Sequence, residues 1–300
     1  MRVFVAGPAT WNHLVYVDAL PDARPHTVLA RHHHETVGGT SAGKALNLRS
    51  LGLDVTLRTH LGTDDAGDEV ERILRSAGVD LIVERAARTE RHLNLMAADG
   101  GRLSLHLDKP GAGPEEHLQL TSAALAGASI ACIDLAEESR PLLARAKAAG
   151  CTVVCDLHDY DGQNPFHDDW IAAGDVLFLN DDAMSDPLPW MRDQVGRGTS
   201  LVVLTQGAAG ATAMTGDETV HVPAERVDRI VDTNGAGDAF VAGFLHARLG
   251  RAALRVAMAA GHHQAARCLA SPDLAPGPRQ PGPRQPGPRL PGTGPSNASG

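Results

Sequence analysis

Between Val231 and Gly250 the chain reads VDTNGAGDAFVAGFLHARLG, the segment whose residue types and spacing are best suited to chemistry. Phe240, Val241, Phe244 and Leu245 recur at the spacing of a core-facing helix, and that helix begins at the turn Gly235-Ala236-Gly237. Small residues there let successive backbone N–H groups converge on one point, and the helix dipole makes that point favour an anion. Asp238 follows in the first turn, one residue beyond this nest. A carboxylate beside an anion hole suits a reaction in which a substrate hydroxyl loses its proton while attacking a phosphoryl group. On this segment alone the competing reading is an acid that merely complements the dipole of its own helix.

The elements that must position these residues follow from periodicity. Short apolar runs predict strands over Val3–Ala6, Thr56–His60, Ser129–Leu135, Thr152–Leu157, Val176–Leu179 and Leu201–Thr205. Between and after them, helical periods fall over Ala42–Leu51, Gly67–Ala77, Glu115–Ala126, Arg140–Ala149, Ala236–Leu249 and Arg251–Cys268. Such alternation indicates an α/β body with a mostly parallel sheet covered by helices on both faces. Two segments break the rhythm, Leu14–Val37 and Arg91–Leu107, where apolar and polar residues alternate and Asp99-Gly100-Gly101 marks a turn. They predict a small β lid outside the main sheet. The body and lid occupy residues 1–275. From Pro276 onward a Pro/Gly/Arg repeat carries too little apolar surface to bury and predicts a disordered tail at 276–300.

Composition narrows the class. With 36 acids against 27 bases and only 3% aromatic residues, neither backbone-driven nor stacking-driven nucleic-acid binding is expected. No apolar run reaches the roughly 18 residues of a membrane span, and the N-terminal MRVFVAGPAT is too short an apolar stretch for an export signal. A cytoplasmic protein with no membrane partner is expected. The 4 cysteines, Cys132, Cys151, Cys155 and Cys268, lack metal-ligand spacing and read as buried reduced thiols.

The run DTNGAGDAFVAGFL resembles the C-terminal signature of the ribokinase-like carbohydrate kinases, the PfkB family. VGGTSAGKALNLRSLG (37–52) looks like the family's N-terminal signature, and LGTDDAGDEV (61–70) resembles its Gly-Asp-Asp segment. DVLFLNDDA (175–183) resembles its strand ending in Asn, and VVLTQGAAG (202–210) its nucleotide strand. The motifs follow one another in the family's order. The resemblance implies a ribokinase-like fold and transfer of a phosphoryl group from ATP to a hydroxymethyl group of a sugar or sugar-like alcohol. It implies Asp238 as general base and the amides from Gly235 through Ala236 and Gly237 to Asp238 as the anion hole. Asn180, Thr205 and Gly207 then line the ATP side, Gly38 and Gly39 the substrate side, and Asp232 and Thr233 a site for a monovalent cation such as K⁺. Mg²⁺ is expected with the ATP phosphates. Relatives often pair their lids, so a homodimer through the lid is expected.

Departures from the family pattern bear on the substrate. Asn12 stands where the family commonly has Asp, Gly43 followed by Lys44 stands at the usual Asn, and Asn180-Asp181-Asp182-Ala183 lacks the glutamate that helps order Mg²⁺. Asp181 or Asp182 is the candidate replacement for that glutamate. Thr40 and Gly43 join the substrate side, and Asn12, Lys44, His92 and Asn94 suggest a polyhydroxylated or anionic substrate, with Lys44 pairing with an acid on it, pointing to solvent or packing along its helix. A nucleoside kinase of the same fold and a sugar-binding regulator without catalysis are the alternatives, and the intact Asp238 and glycines favour the enzyme. Gly38 to Lys44 also spells G-x-x-x-x-G-K, but Ala45 replaces the hydroxyl that a P-loop needs for its metal. Of His32, His33 and His34 only the outer two share a strand face, which is too few ligands for a metal site.

Overall fold

The chain is described here by a computed structural model over residues 1–110 and 115–275. The expected Pro/Gly/Arg tail lies outside the described residues. The strands in chain order are β1 (Arg2–Ala6), β2 (Thr10–Val17), β3 (His32–Gly38), β4 (Asp54–Gly62), β5 (Asp80–Ala86), β6 (Arg91–Ala97) and β7 (Arg102–Asp108). They continue as β8 (Ile130–Ile133), β9 (Thr152–Asp156), β10 (Val176–Asn180), β11 (Leu201–Thr205), β12 (Ala211–Met214) and β13 (Thr219–Val222). The helices are α1 (Thr40–Ser50), α2 (Asp65–Ser76), α3 (Leu118–Ala126), α4 (Arg140–Ala148), α5 (Asp168–Ala173), α6 (Pro187–Gly196), α7 (Ala236–Leu249) and α8 (Leu254–Leu269).

Among the described residues nine strands form the main sheet, in the order β13-β12-β11-β10-β9-β8-β1-β4-β5. From β5 to β11 every pairing is parallel, and β12 and β13 add an antiparallel edge. The central strands are apolar on both faces, as parallel strands covered on both sides must be. Val3, Val5, Val55, Leu57, Val154 and Phe178 pack with α1, α2, α7 and α8. Their strand neighbours Phe4, Ala6, Val153, Cys155, Leu177 and Leu179 pack with α3, α4, α5 and α6 on the other face. The strand period of two thus divides one sheet between two cores.

The lid is a separate sheet ordered β3-β2-β6-β7, with β2 and β6 parallel and the outer pairs antiparallel. Its first strand begins at Thr10 rather than at the expected Leu14, because Trp11 and His13 alternate with buried Thr10 and Asn12 in the same half-buried pattern. β5, β12 and β13 were not foreseen; polar residues such as Glu84 and His221 interrupt their apolar character. Helix α8 starts at Leu254, later than the expected Arg251, which takes a left-handed φ of 62°.

Candidate active site

Helix α7 starts from Gly235, whose φ of 78° is a left-handed turn that glycine adopts without strain. Among the described residues no side chain caps its first turn, so the amides after Gly235 are available to an anion. This helix end faces the C-terminal ends of β9, β10 and β11. A cavity of about 60 Å³ there is lined by Asp156, His158, Asn180, Thr205 and Gly237 together with Phe178, Leu179 and Val241. Open α/β sheets bind ligands at this edge. A larger cavity of about 820 Å³ lies at the opposite edge, where Ile130, Thr152, Val176 and Leu201 start their strands, and it includes none of the expected site residues.

Asp238 reaches back from α7 to α1. Its Oδ1 accepts from Thr40 Oγ1 at 2.5 Å and from Lys44 Nζ at 2.9 Å. Lys44 Nζ also lies 3.0 Å from Asp134 Oδ1 and 3.0 Å from Asp156 Oδ2, at the ends of β8 and β9. The Lys44 side chain is 1% exposed. Lys44 therefore does not point to solvent, which corrects that sequence expectation, and its ammonium is engaged by three carboxylates of this chain. The reason is that α1 is buried from Ser41 to Leu48, so a lysine on it has no outer face to occupy. Gly43 makes the approach possible: a Cβ there would lie 2.7 Å from Asp238 Oδ2. Ser41 Oγ donates to Asp134 Oδ2 at 2.6 Å and completes the cluster.

Electrostatics follow from this crowding. Burial alone would discharge Lys44, but Asp134, Asp156 and Asp238 overcome it and hold the ammonium charged well above the usual range. Burial pushes Asp238 above the ordinary carboxylate value, with Lys44 and Thr40 pulling the other way. For Asp156, burial is outweighed by His158 and Lys44, and its pKa falls to about 2.

On the lid, Asn12 pairs in register with His92, and Leu14 with Asn94, so these side chains share a face. Tyr16 belongs to the same face and donates its hydroxyl to Asp232 Oδ2 at 2.7 Å, in the loop before α7. That contact turns this face of the lid toward the α7 N-terminus. Asn12 is buried beside Gly38, and its Oδ1 accepts from Thr10 at 2.6 Å. Asn94 is 3% exposed with its Oδ1 unpartnered among the described residues. His92 Nε2 lies 2.7 Å from Glu90 Oε1, and its ring is tilted against that of His106 with centroids 3.9 Å apart.

Gly39 precedes α1 and Thr40 opens it. Asn180 and Thr205 are register partners at the ends of β10 and β11, whereas Gly207 sits exposed in the following turn and does not line the small cavity. Asp181 and Asp182 are both exposed; Asp182 donates its N–H to Asn180 Oδ1 at 3.1 Å. The acid that lines the cavity is Asp156. Asp232 is buried and accepts from Asn234 N as well as from Tyr16, and Thr233 follows it half-buried. His32 and His34 stack on Tyr16. The donors close enough to share a metal among the described residues are instead Glu90, His92 and His106, within 4.8 Å of one another. All 4 cysteines are free and buried.

Residues 3–278 match the pfkB family carbohydrate kinases. The chain belongs to this family. Like its relatives, this pfkB kinase is a phosphotransferase with an alcohol group as acceptor. It is 31% identical over 253 residues to an acarbose 7(IV)-phosphotransferase of Actinoplanes sp., covering 82% of this chain and 85% of that protein. It is 33% identical over 263 residues to an ATP-dependent ribose-1-phosphate kinase of Halopiger xanaduensis, covering 82% and 84%. A solved microbiome-derived acarbose kinase superposes with a TM-score of 0.80 at 27% identity, over 90% of this chain and 92% of that one. Asp134, Asp156 and His158 of the pfkB kinase were not among the expected site residues. The signal was present in IACID and VVCDLH, where an acid ends an apolar strand at the ligand-binding edge of a parallel sheet.

Proposed function

We propose that this kinase moves the γ-phosphoryl group of ATP onto a hydroxymethyl group of a neutral sugar or sugar-like alcohol, with Asp238 as general base. One juxtaposition carries the reading: a desolvated carboxylate in the first turn of a helix whose amides no side chain caps. Asp238 takes the proton of the acceptor hydroxyl as its oxygen attacks phosphorus, and the amides of Gly235, Ala236 and Gly237 receive the charge of the transferring group. Asn180, Thr205 and Gly207 hold the nucleotide. Asp156, the acid that lines the cavity, would lie beside Mg²⁺, which would supply charge neutralisation to the ATP phosphates. Asp232 and Thr233 are the residues for a monovalent cation such as K⁺.

Asn12, Gly38, Gly39, Thr40, Gly43, His92 and Asn94 form the substrate side. These groups are amides, an imidazole, a hydroxyl and bare backbone, and the Lys44 ammonium is already shared among three carboxylates. A neutral polyol suits this set better than the anionic substrate that an unpaired lysine would favour. Among the described residues no helix is long and apolar enough to cross a membrane. The kinase is proposed to act in the cytoplasm, as one domain over residues 1–275 and as a homodimer through the lid.

ADP release measured with Mg²⁺-ATP across monosaccharides, oligosaccharides including acarbose, ribose-1-phosphate and nucleosides tests the reading. A neutral saccharide is expected to give the highest kcat/KM. A preference for nucleosides would make the enzyme a nucleoside kinase, a preference for ribose-1-phosphate would overturn the neutral-substrate reading, and binding without turnover throughout would make it a regulator.

A further inference from the structure

The two oxygens of Asp238 are not equivalent. Oδ1 takes both donors, Thr40 Oγ1 and Lys44 Nζ, while among the described residues no donor reaches Oδ2. Oδ2 lies instead over the bare Cα of Gly43, where a Cβ would sit 2.7 Å from it. The donor that fixes Oδ1 is itself fixed from two further directions. Lys44 is clamped by Asp134 from β8 and Asp156 from β9, and Asp134 is in turn held by Ser41 and by the main sheet. Its Nζ also donates to Thr40 Oγ1 at 2.6 Å, so the hydroxyl and the ammonium orient one another. A flexible four-carbon side chain thereby becomes a rigid strut between the ends of two sheet strands and the first turn of α7.

We propose that Lys44 is a positioning residue that, with Thr40, anchors Asp238 through Oδ1 and so assigns Oδ2 as the oxygen that takes the substrate proton. This rests on the base role proposed above for Asp238. In the step, the acceptor O–H proton passes to Oδ2, the acceptor oxygen forms a bond to the γ-phosphorus, and the bond from that phosphorus to the β–γ bridging oxygen breaks. ADP leaves with that electron pair. Lys44 keeps its proton throughout, because three carboxylates hold it charged. A second consequence concerns charge. Asp134, Asp156 and Asp238 crowd one site, with His158 Nδ1 3.7 Å from Asp156, and without the ammonium the carboxylates would raise one another's pKa. Lys44 therefore also pulls Asp238 toward its ionised form, against the burial that pushes it upward. The pairing of Gly43 with Lys44 makes sense as one device: the glycine admits the carboxylate, and the lysine anchors it.

The test is the pH profile of kcat for the wild type, Lys44→Met, Lys44→Met/Asp134→Asn and Thr40→Val, with Asp238→Asn alongside. The double variant removes one charge of each sign and guards against a single variant that fails to fold. Loss of Lys44 is expected to move the acid limb of kcat upward by about one pH unit or more and to lower kcat roughly tenfold to a hundredfold at neutral pH. KM for ATP is expected to stay within about threefold. Thr40→Val, which keeps every charge, is expected to lower kcat with a smaller movement of the limb. A folded Lys44 variant whose kcat falls equally at every pH, with its acid limb unmoved, overturns the proposal. Asp238→Asn separates the two failures. Retained turnover there removes the base role itself, whereas lost turnover there beside an unmoved limb in the Lys44 variants removes only the strut.

Discussion

At position 43 a single methyl group decides where the proposed base can sit. Gly43→Ala would place a Cβ 2.7 Å from Asp238 Oδ2 and 3.1 Å from its Cβ, with buried α1 unable to withdraw. We expect kcat to fall by about 10²-fold while Tm changes little, since a misplaced reacting group costs roughly that much; steady-state kinetics beside a melting curve check it, and a kcat within twofold of wild type would contradict the geometry. Asp156 gives a pH prediction. Its folded pKa of about 2 lies below the ordinary 3.8, so its contribution to stability is present above 3.8 and is lost as pH falls toward 2. The difference in urea midpoint between wild type and Asp156→Asn should therefore be smaller at pH 3 than at pH 5. An unchanged difference would show that Asp156 is not held ionised by Lys44 and His158. The residue scale is also where sequence and structure part. The placement of Asp238 just inside a helix that starts from a glycine turn was legible because both are adjacent in the chain. The partners of Lys44 were not, because Asp134 and Asp156 lie far along the chain and meet it only through strand order.

Among the elements, α7 does most to place the site, and its position depends on α8. Both are strongly buried where they cross, and Gly243 is the point of contact: a Cβ there would lie 2.4 Å from Ala260 O and 2.8 Å from Gln264 Cβ. Gly243→Ala should destabilise the fold by about 1–3 kcal/mol, as overpacking of a tight interface does. Because the displaced helix carries Asp238, kcat should fall as well; calorimetry and kinetics on the same sample test both, and an unchanged Tm would show that α8 can give way. Helix α7 was read from the sequence with its observed bounds, Ala236–Leu249, because its glycine turn and Gly250 punctuate it at both ends. The lid hairpin was equally legible from Asp99-Gly100-Gly101 and its alternating flanks. β5 was not, because Glu84 within it is a buried acid satisfied by Arg58 and His117, and burial of a charge is invisible to periodicity.

For the whole molecule, the unresolved balance is on the outer face of the lid. Leu103, Leu105 and Leu107 stand 42%, 45% and 55% exposed along β7, and Leu105 and Leu103 pair in register with Leu93 and Leu95 of β6. An apolar sheet face of this kind is a site for association. Light scattering at micromolar protein should give twice the chain mass, and Leu105→Glu should return it to a monomer; a monomer in the wild type would remove the proposed lid-to-lid dimer. The layered body and the separate lid were legible as a class from the alternation of strands and helices, while the order of the nine strands was not, since pairing between distant segments leaves no local mark. The proposed mechanism turns on Asp238 as the base in phosphoryl transfer from ATP. It is tested most directly by single-turnover transfer from γ-labelled ATP to the best acceptor, in wild type and Asp238→Asn, with nucleotide affinity measured on both. The rate is expected to be lower by about 10²–10⁴-fold in the variant, with ATP affinity essentially preserved. Transfer at close to the wild-type rate would contradict it.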